Sequence, residues 1–237
     1  MRYVTSFGPQ GYEVYGRRFL ETYCEHMSHP LTVYVEAPCD FRHELITYKN
    51  LVDVPGCQDF LNKLVFPAMH GKMWSGQYDY RFAVAKFCRK QFAQADAALD
   101  EMAHGGDWLV WIDADIELGA PLPDPVDGPF MYYLGRPEWH SCASYVAWDL
   151  RKPASKEWWT KLQMLYLSGS LFALPEWHDS YVNDWLREGM KVSAINLAAP
   201  YAAQLKGPAN VFDVVFAGSH HKKGGLKFRE AKQRRAG

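Results

Sequence analysis

The sequence is short of cysteine, of long apolar runs and of net charge, and each shortage excludes a class of protein. Its five cysteines, Cys24, Cys39, Cys57, Cys88 and Cys142, are odd in number and form no CxxC pair. Neither a disulfide framework nor a zinc knuckle is therefore indicated. No apolar stretch approaches the ~20 residues of a membrane helix. The opening MRYVTSFGPQGY lacks the basic region followed by an apolar one that marks a signal peptide. A reducing cytoplasm is the expected setting, with no membrane partner. The 26 Lys and Arg nearly cancel the 27 Asp and Glu, which argues against binding polyanions through overall charge. One local exception exists: from Lys222 to the end, seven basic residues meet the single acid Glu230. That segment suits phosphates or a solvated tail. Internal repeats, low-complexity linkers and a G-x-G-x-x-G dinucleotide loop are missing as well.

What the sequence has is the material of a core. Hydrophobic residues make up 48% and aromatics 15% of the 237 positions, enough for one large domain. RYVTSF (2–7) reads as a strand, GPQG breaks it, and Tyr12 to Met27 has helical spacing with Tyr15, Phe19 and Tyr23 on one stripe. LTVYVE (31–36) is a second strand, so this order predicts a βαβ unit and a parallel sheet with helices on its faces. ELITYKNL (44–51) reads as a third strand and CQDFLNKLVF (57–66) as a short helix. From Phe82 to Met102 apolar residues recur at three and four, which predicts a long amphipathic helix ended by HGGD. Later, LGAPLPDPVDGP (118–129) must be loop, FMYYLG (130–135) and CASYVAWDL (142–150) are strands, and two further helices follow. Trp108, Trp111 and Trp148 fall in strand patterns and belong to the core, whereas Trp139 and Trp177 lie beside polar motifs, where they are placed to stack on a sugar or a base.

The segment WLVWIDADIEL (108–118) is apolar enough to be a buried strand, yet it runs into two carboxylates. If the extended geometry lasts through Ala114, Asp113 and Asp115 point to the same face. Side by side they repel, so the choice is a bound cation or a solvated turn. The pair stands at the carboxyl end of a strand, where open α/β sheets place ligands. Near the far end, SHHKKGGLKF carries His221, Gly224 and Lys227 as H-x-x-G-x-x-K. Its plainer alternative is that the two histidines merely begin the basic tail.

These motifs resemble glycosyltransferases of the GT-A fold, and the ending resembles the closing motif of their glycogenin-like members. The resemblance implies that Asp113, Asp115 and His221 hold Mn²⁺ or Mg²⁺. It also implies that Lys227 and Gly224 meet the diphosphate of a nucleotide-sugar donor, a UDP-sugar in the first instance. Oxygen ligands and a diphosphate select such hard ions over zinc. With EWHDSYVND (176–184), YRFAVAKFCRKQFA (80–93) and TSFGPQGYEVYGRRFLETY (5–23), most of the chain resembles a group of phage-associated GT-A glycosyltransferases. On that likeness the cytoplasm would be that of a host cell. The acceptor would be a hydroxymethylated pyrimidine in DNA, and a glycan, a lipid-linked sugar or a protein is the alternative. A binding module without turnover is a further one.

The same resemblance assigns Asp179 to the acceptor, as base or as the carboxylate that orients the attacking hydroxyl, with His178 in the same cleft. It places Arg81 and Lys90 near the donor, and the first loop around base and ribose, with Tyr12 stacking. Rival readings come from the residues themselves. His178-Asp179 matches the metal-binding pair of HD-type phosphohydrolases, but the all-helical layout is missing. Asp179 also suits the cap of a helix starting near Ser180. Lys90 falls opposite the apolar stripe of its helix, where a solvated lysine belongs. The expected architecture is thus α/β, a GT-A-like single domain over 1–237 with a mostly parallel central sheet flanked by helices. Within it, 1–117 would bind the nucleotide sugar, 118–219 the acceptor, and 220–237 would supply the metal and diphosphate motif with the basic tail.

Overall fold

The computed structural model describes residues 1–205 and 210–222. The chain starts with strand β1 (Arg2–Phe7), followed by one continuous helical run: a first turn α1 (Pro9–Gly11), a π-turn (Tyr12–Gly16) and α2 (Arg17–His26). Strands β2 (Leu31–Val35) and β3 (Ile46–Asn50), short helix α3 (Cys57–Asn62) and long helix α4 (Val84–Ala103) come next. Strand β4 (Trp108–Ile112), the two-residue β5 (Ile116–Glu117) and the hairpin β6 (Met131–Arg136) and β7 (Trp139–Asp149) lead into α5 (Pro153–Leu167) and α6 (Asp179–Met190). Strand β8 (Ala194–Asn196), helix α7 (Val211–Val215) and strand β9 (His220–His221) close the described part.

Seven strands form one sheet in the order β3-β2-β1-β4-β7-β6-β8, which crosses both halves of the chain. Pairs β1/β2, β2/β3, β1/β4 and β6/β8 are parallel, and β4/β7 and β6/β7 are antiparallel. The architecture is the expected one, α/β with a mostly parallel sheet flanked by helices. Every residue of β2 and of β4 is buried, as it must be in a sheet covered on both faces. One layer packs α3, α4, α5 and α6 through Phe92, Trp158, Trp159 and Tyr166; the other packs α2 and α7 through Phe19, Tyr23 and Phe212. Trp108, Trp111 and Trp148 are buried in these layers. Among the described residues no helix is long and apolar enough to cross a membrane.

Helix α4 departs from the single-stripe reading. Lys90, Gln91 and Gln94 are buried, whereas Leu99, placed on the expected apolar stripe, is 40% exposed. The reason is tertiary: α4 lies between the sheet and helices that come much later in the chain, so the face opposite its stripe meets protein instead of water. All five cysteines are free thiols, four of them buried.

Candidate active site

In this strand order β1 is followed by β2 on one side and neighboured by β4 on the other. The gap at their carboxyl ends is the switch point where such sheets open a crevice. A cavity of about 350 Å³ lies there, lined by Ser6, Phe7 and Gly8 at the end of β1 and by Asp113, Ala114 and Asp115 after β4. The aspartates do not sit on a continued strand. β4 ends at Ile112, the Asp113 amide donates to Ser144 O at 2.9 Å, and the Ile116 amide turns back to Asp113 O at 3.3 Å. Strand alternation is therefore not what aligns the two carboxylates; a turn is.

The third member arrives from a distant part of the sequence. β5 pairs antiparallel with β9, placing His221 opposite Ile116. The His221 amide donates to Asp213 Oδ1, Asn210 Nδ2 donates to the His221 carbonyl, both at 2.8 Å, and the Lys222 amide donates to Asp115 O at 2.9 Å. His221 Nε2 consequently lies 3.1 Å from Asp115 Oδ1 and 3.9 Å from Asp113 Oδ2. Burial works against a charged imidazole, but contacts with Asp115 and Cys142 and the charge of Asp113 outweigh it, and the His221 pKa is pushed up to about 9. One potential ligand atom from each of Asp113, Asp115 and His221 lies within 4.8 Å of the others. Two carboxylates and an imidazole at that spacing fit a hard divalent cation.

Behind the aspartates stands Lys90. Its Nζ is 2.8 Å from Asp113 Oδ1 and 2.8 Å from Asp179 Oδ2, and it also donates to Ala143 O. The solvated-lysine reading is thus corrected: Lys90 is 7% exposed, with its ammonium 4.9 Å from the Trp111 ring centre. Burial disfavours the ammonium, yet the two carboxylates more than compensate and raise its pKa. Asp179 shows the converse, with burial opposed by Lys90 and the carboxyl held below its ordinary range. Trp111 Nε1 donates to the same Asp113 Oδ1 at 2.7 Å. Asp113 therefore receives two donors through Oδ1, while Oδ2 is the oxygen nearer His221.

The remaining sequence candidates scatter. Asp179 lines the cavity but does not cap its helix; His178 does, its Nδ1 accepting from the Tyr181 amide at 3.4 Å while Nε2 meets Glu176 Oε2 at 2.8 Å. Arg81 is ion-paired to Asp79 at 2.6 Å and lines a different, larger cavity. Tyr12 is committed elsewhere: its hydroxyl donates to Asp40 and its ring stacks on Phe7 at 5.7 Å. Tyr15, one helical turn on, is the tyrosine that lines the cleft. Trp177 packs edge-on against Phe82 and Phe172 at the margin of the core, while Trp139 is 70% exposed. Gly224 and Lys227 lie outside the described residues. Sequence reasoning missed Glu36, Lys86 and Arg89, which also line the cleft, with Arg89 paired to Glu36 at 3.0 Å.

The backbone as a whole matches solved structures of LgtC. One, the galactosyltransferase LgtC with donor and acceptor sugar analogues, superposes with a TM-score of 0.53 at 9% identity, covering 100% of this chain and 94% of LgtC. Another, an active-site mutant of LgtC, gives 0.51 at 10% identity, covering 94% and 88%. The chain has the LgtC fold. At that identity the LgtC likeness carries the architecture, GT-A in type, and not the activity. No protein-family profile and no curated protein sequence matches the chain.

Proposed function

We propose that the chain is a divalent-metal-dependent glycosyltransferase that moves a sugar from a nucleotide-diphosphate donor, a UDP-sugar in the first instance, to a hydroxyl. One observation carries the reading: within an LgtC fold, Asp113, Asp115 and His221 converge on the cavity at the β1–β4 switch point. Mn²⁺ or Mg²⁺ held by these three residues would supply positive charge to the departing diphosphate. Transfer breaks the bond from the anomeric carbon to the diphosphate oxygen, which keeps the electron pair. The acceptor oxygen bonds that carbon, and its proton passes to the departing diphosphate oxygen or to solvent water.

The chain's own residues have distinct parts in this. Lys90 fixes Asp113 and Asp179 relative to each other through its two 2.8 Å contacts. Asp179, held ionised by that ammonium, suits orienting the acceptor hydroxyl better than removing its proton. His178 caps α6 and thereby sets where Asp179 points. Gly224 and Lys227 are assigned to the diphosphate by resemblance, as is the split into a donor-binding half over 1–117 and an acceptor-binding half over 118–219.

Two acceptor classes stand. A hydroxymethylated pyrimidine in DNA is supported by the phage-type motifs and by the basic run from Lys222. A carbohydrate acceptor is supported by the larger cavity, where three arginines face four carboxylates. Incubating the protein with Mn²⁺ and a panel of nucleotide sugars, with and without hydroxymethylated DNA, tests the activity. Release of free nucleoside diphosphate is expected with at least one donor; none with any donor and either metal would sink the transferase reading.

A further inference from the structure

A second and larger cavity, about 840 Å³, opens between the start of α6 and the β6–β7 hairpin. The His178 side chain lies between residues of this cavity and residues of the first. The His178 ring packs against Tyr80 at 5.3 Å and His140 at 5.4 Å, which line the large cavity, and against Phe87 at 6.1 Å, which lines the small one. Asp179 faces the small cavity and Glu176, three residues earlier, the large one. A molecule in the large cavity therefore sits next to whatever occupies the first.

The lining of that space is aromatic and balanced in charge. Trp139 is 70% exposed and Tyr80 46% exposed, so both offer ring faces to a ligand. Three arginines face four carboxylates there. Each arginine is engaged: Arg81 with Asp79 at 2.6 Å, Arg187 with Asp184 at 2.7 Å, and Arg136 with the His140 carbonyl at 2.6 Å. Arg187 also lies over the Tyr133 ring at 4.0 Å, and Asp184 accepts from both the amide and the hydroxyl of Ser141. This is a fixed polar network. A nucleic-acid strand brings a phosphate per nucleotide and calls for uncommitted cations, whereas a sugar ring offers an apolar face to an aromatic and hydroxyls to carboxylates.

We infer that this cavity, with Trp139 as its platform, binds an uncharged glycoside and is the acceptor subsite. The inference rests on the transferase reading above. A His140–Glu176–His178 metal site is disfavoured by His178 itself: an Nδ1 that accepts from the Tyr181 amide puts the ring proton on Nε2, the atom a metal would need.

The test uses the full chain and methyl glycosides of glucose, galactose, mannose and N-acetylglucosamine, with binding read by saturation-transfer NMR and donor affinity read separately by calorimetry with Mn²⁺. At least one glycoside should bind wild type, and Trp139→Ala should weaken it roughly tenfold or more while donor affinity stays within about twofold. Trp185→Ala, an exposed tryptophan outside both cavities, should leave glycoside affinity unchanged. Binding of hydroxymethylated DNA but of no glycoside, or glycoside binding indifferent to Trp139→Ala, would overturn the inference. Failure of every nucleotide sugar to bind wild type would instead defeat the transferase reading, with the glycoside result standing on its own.

Discussion

The ammonium of Lys90 lies 2.8 Å from Asp179 Oδ2, joining the middle of α4 to the first residue of α6 across 89 positions of sequence. Because the same nitrogen is 2.8 Å from Asp113 Oδ1, one buried cation ties the end of β4 to the start of α6. Lys90→Met leaves both carboxylates without that partner. Losing one member of a buried ion pair costs about 3–5 kcal/mol, so urea unfolding of the metal-free variant should show a loss of that order. A loss under about 1 kcal/mol would mean that Lys90 and Asp179 are not a buried pair.

Asp115→Ala should abolish Mn²⁺-dependent donor binding and leave the fold intact, since Asp115 sits in the turn between β4 and β5 and belongs to neither hydrophobic layer. Calorimetry with and without Mn²⁺ checks this, alongside circular dichroism. Unchanged donor affinity in the presence of Mn²⁺ would remove Asp115 from the ligand set.

The late imidazole depends on how closely two backbones approach. A Cβ built on Gly119 would lie 2.0 Å from the Gly218 carbonyl oxygen, and these residues flank β5 and β9, which bring His221 to Asp115. Gly119→Ala should therefore push β9 away, costing about 1–3 kcal/mol and weakening Mn²⁺ binding. A variant with wild-type melting temperature and wild-type Mn²⁺ affinity would show that the approach is not needed.

Much of the fold, and less of the site, could be read in the sequence. The β1–α2–β2 unit, α4 and β4 followed from periodicity, because their burial is set by a sheet covered on both faces. The Asp113 and Asp115 positions were legible as a strand end. Their alignment was not, because it comes from a turn and from the distant β9. Lys90 was misplaced because a helical wheel assumes that the face opposite the apolar stripe meets water, and α6 occupies that face. Tyr12 and Tyr15 are one turn apart on the same helical run, so sequence spacing could not tell which faces the cleft; the Asp40 partner of Tyr12 decides it.

Stability should depend on pH through Glu117. Burial raises its pKa, but Lys222 and Arg18 more than reverse this and bring it to about 2, from an ordinary value of 4.5. A depressed carboxylate stabilises the fold fully above its unfolded pKa, and the contribution is lost as pH falls from about 4.5 through about 2. Glu117→Gln should remove roughly 1–3 kcal/mol at pH 7 and flatten the pH dependence in that acid window. Parallel acid-unfolding curves for variant and wild type would contradict the assignment.

The most direct test of the metal site is an anomalous difference map from crystals soaked in Mn²⁺. A single strong peak bonded to Asp113, Asp115 and His221 Nε2 is predicted, and it should vanish in Asp115→Ala. A peak elsewhere in the molecule, or none at concentrations that support nucleotide release, would contradict it.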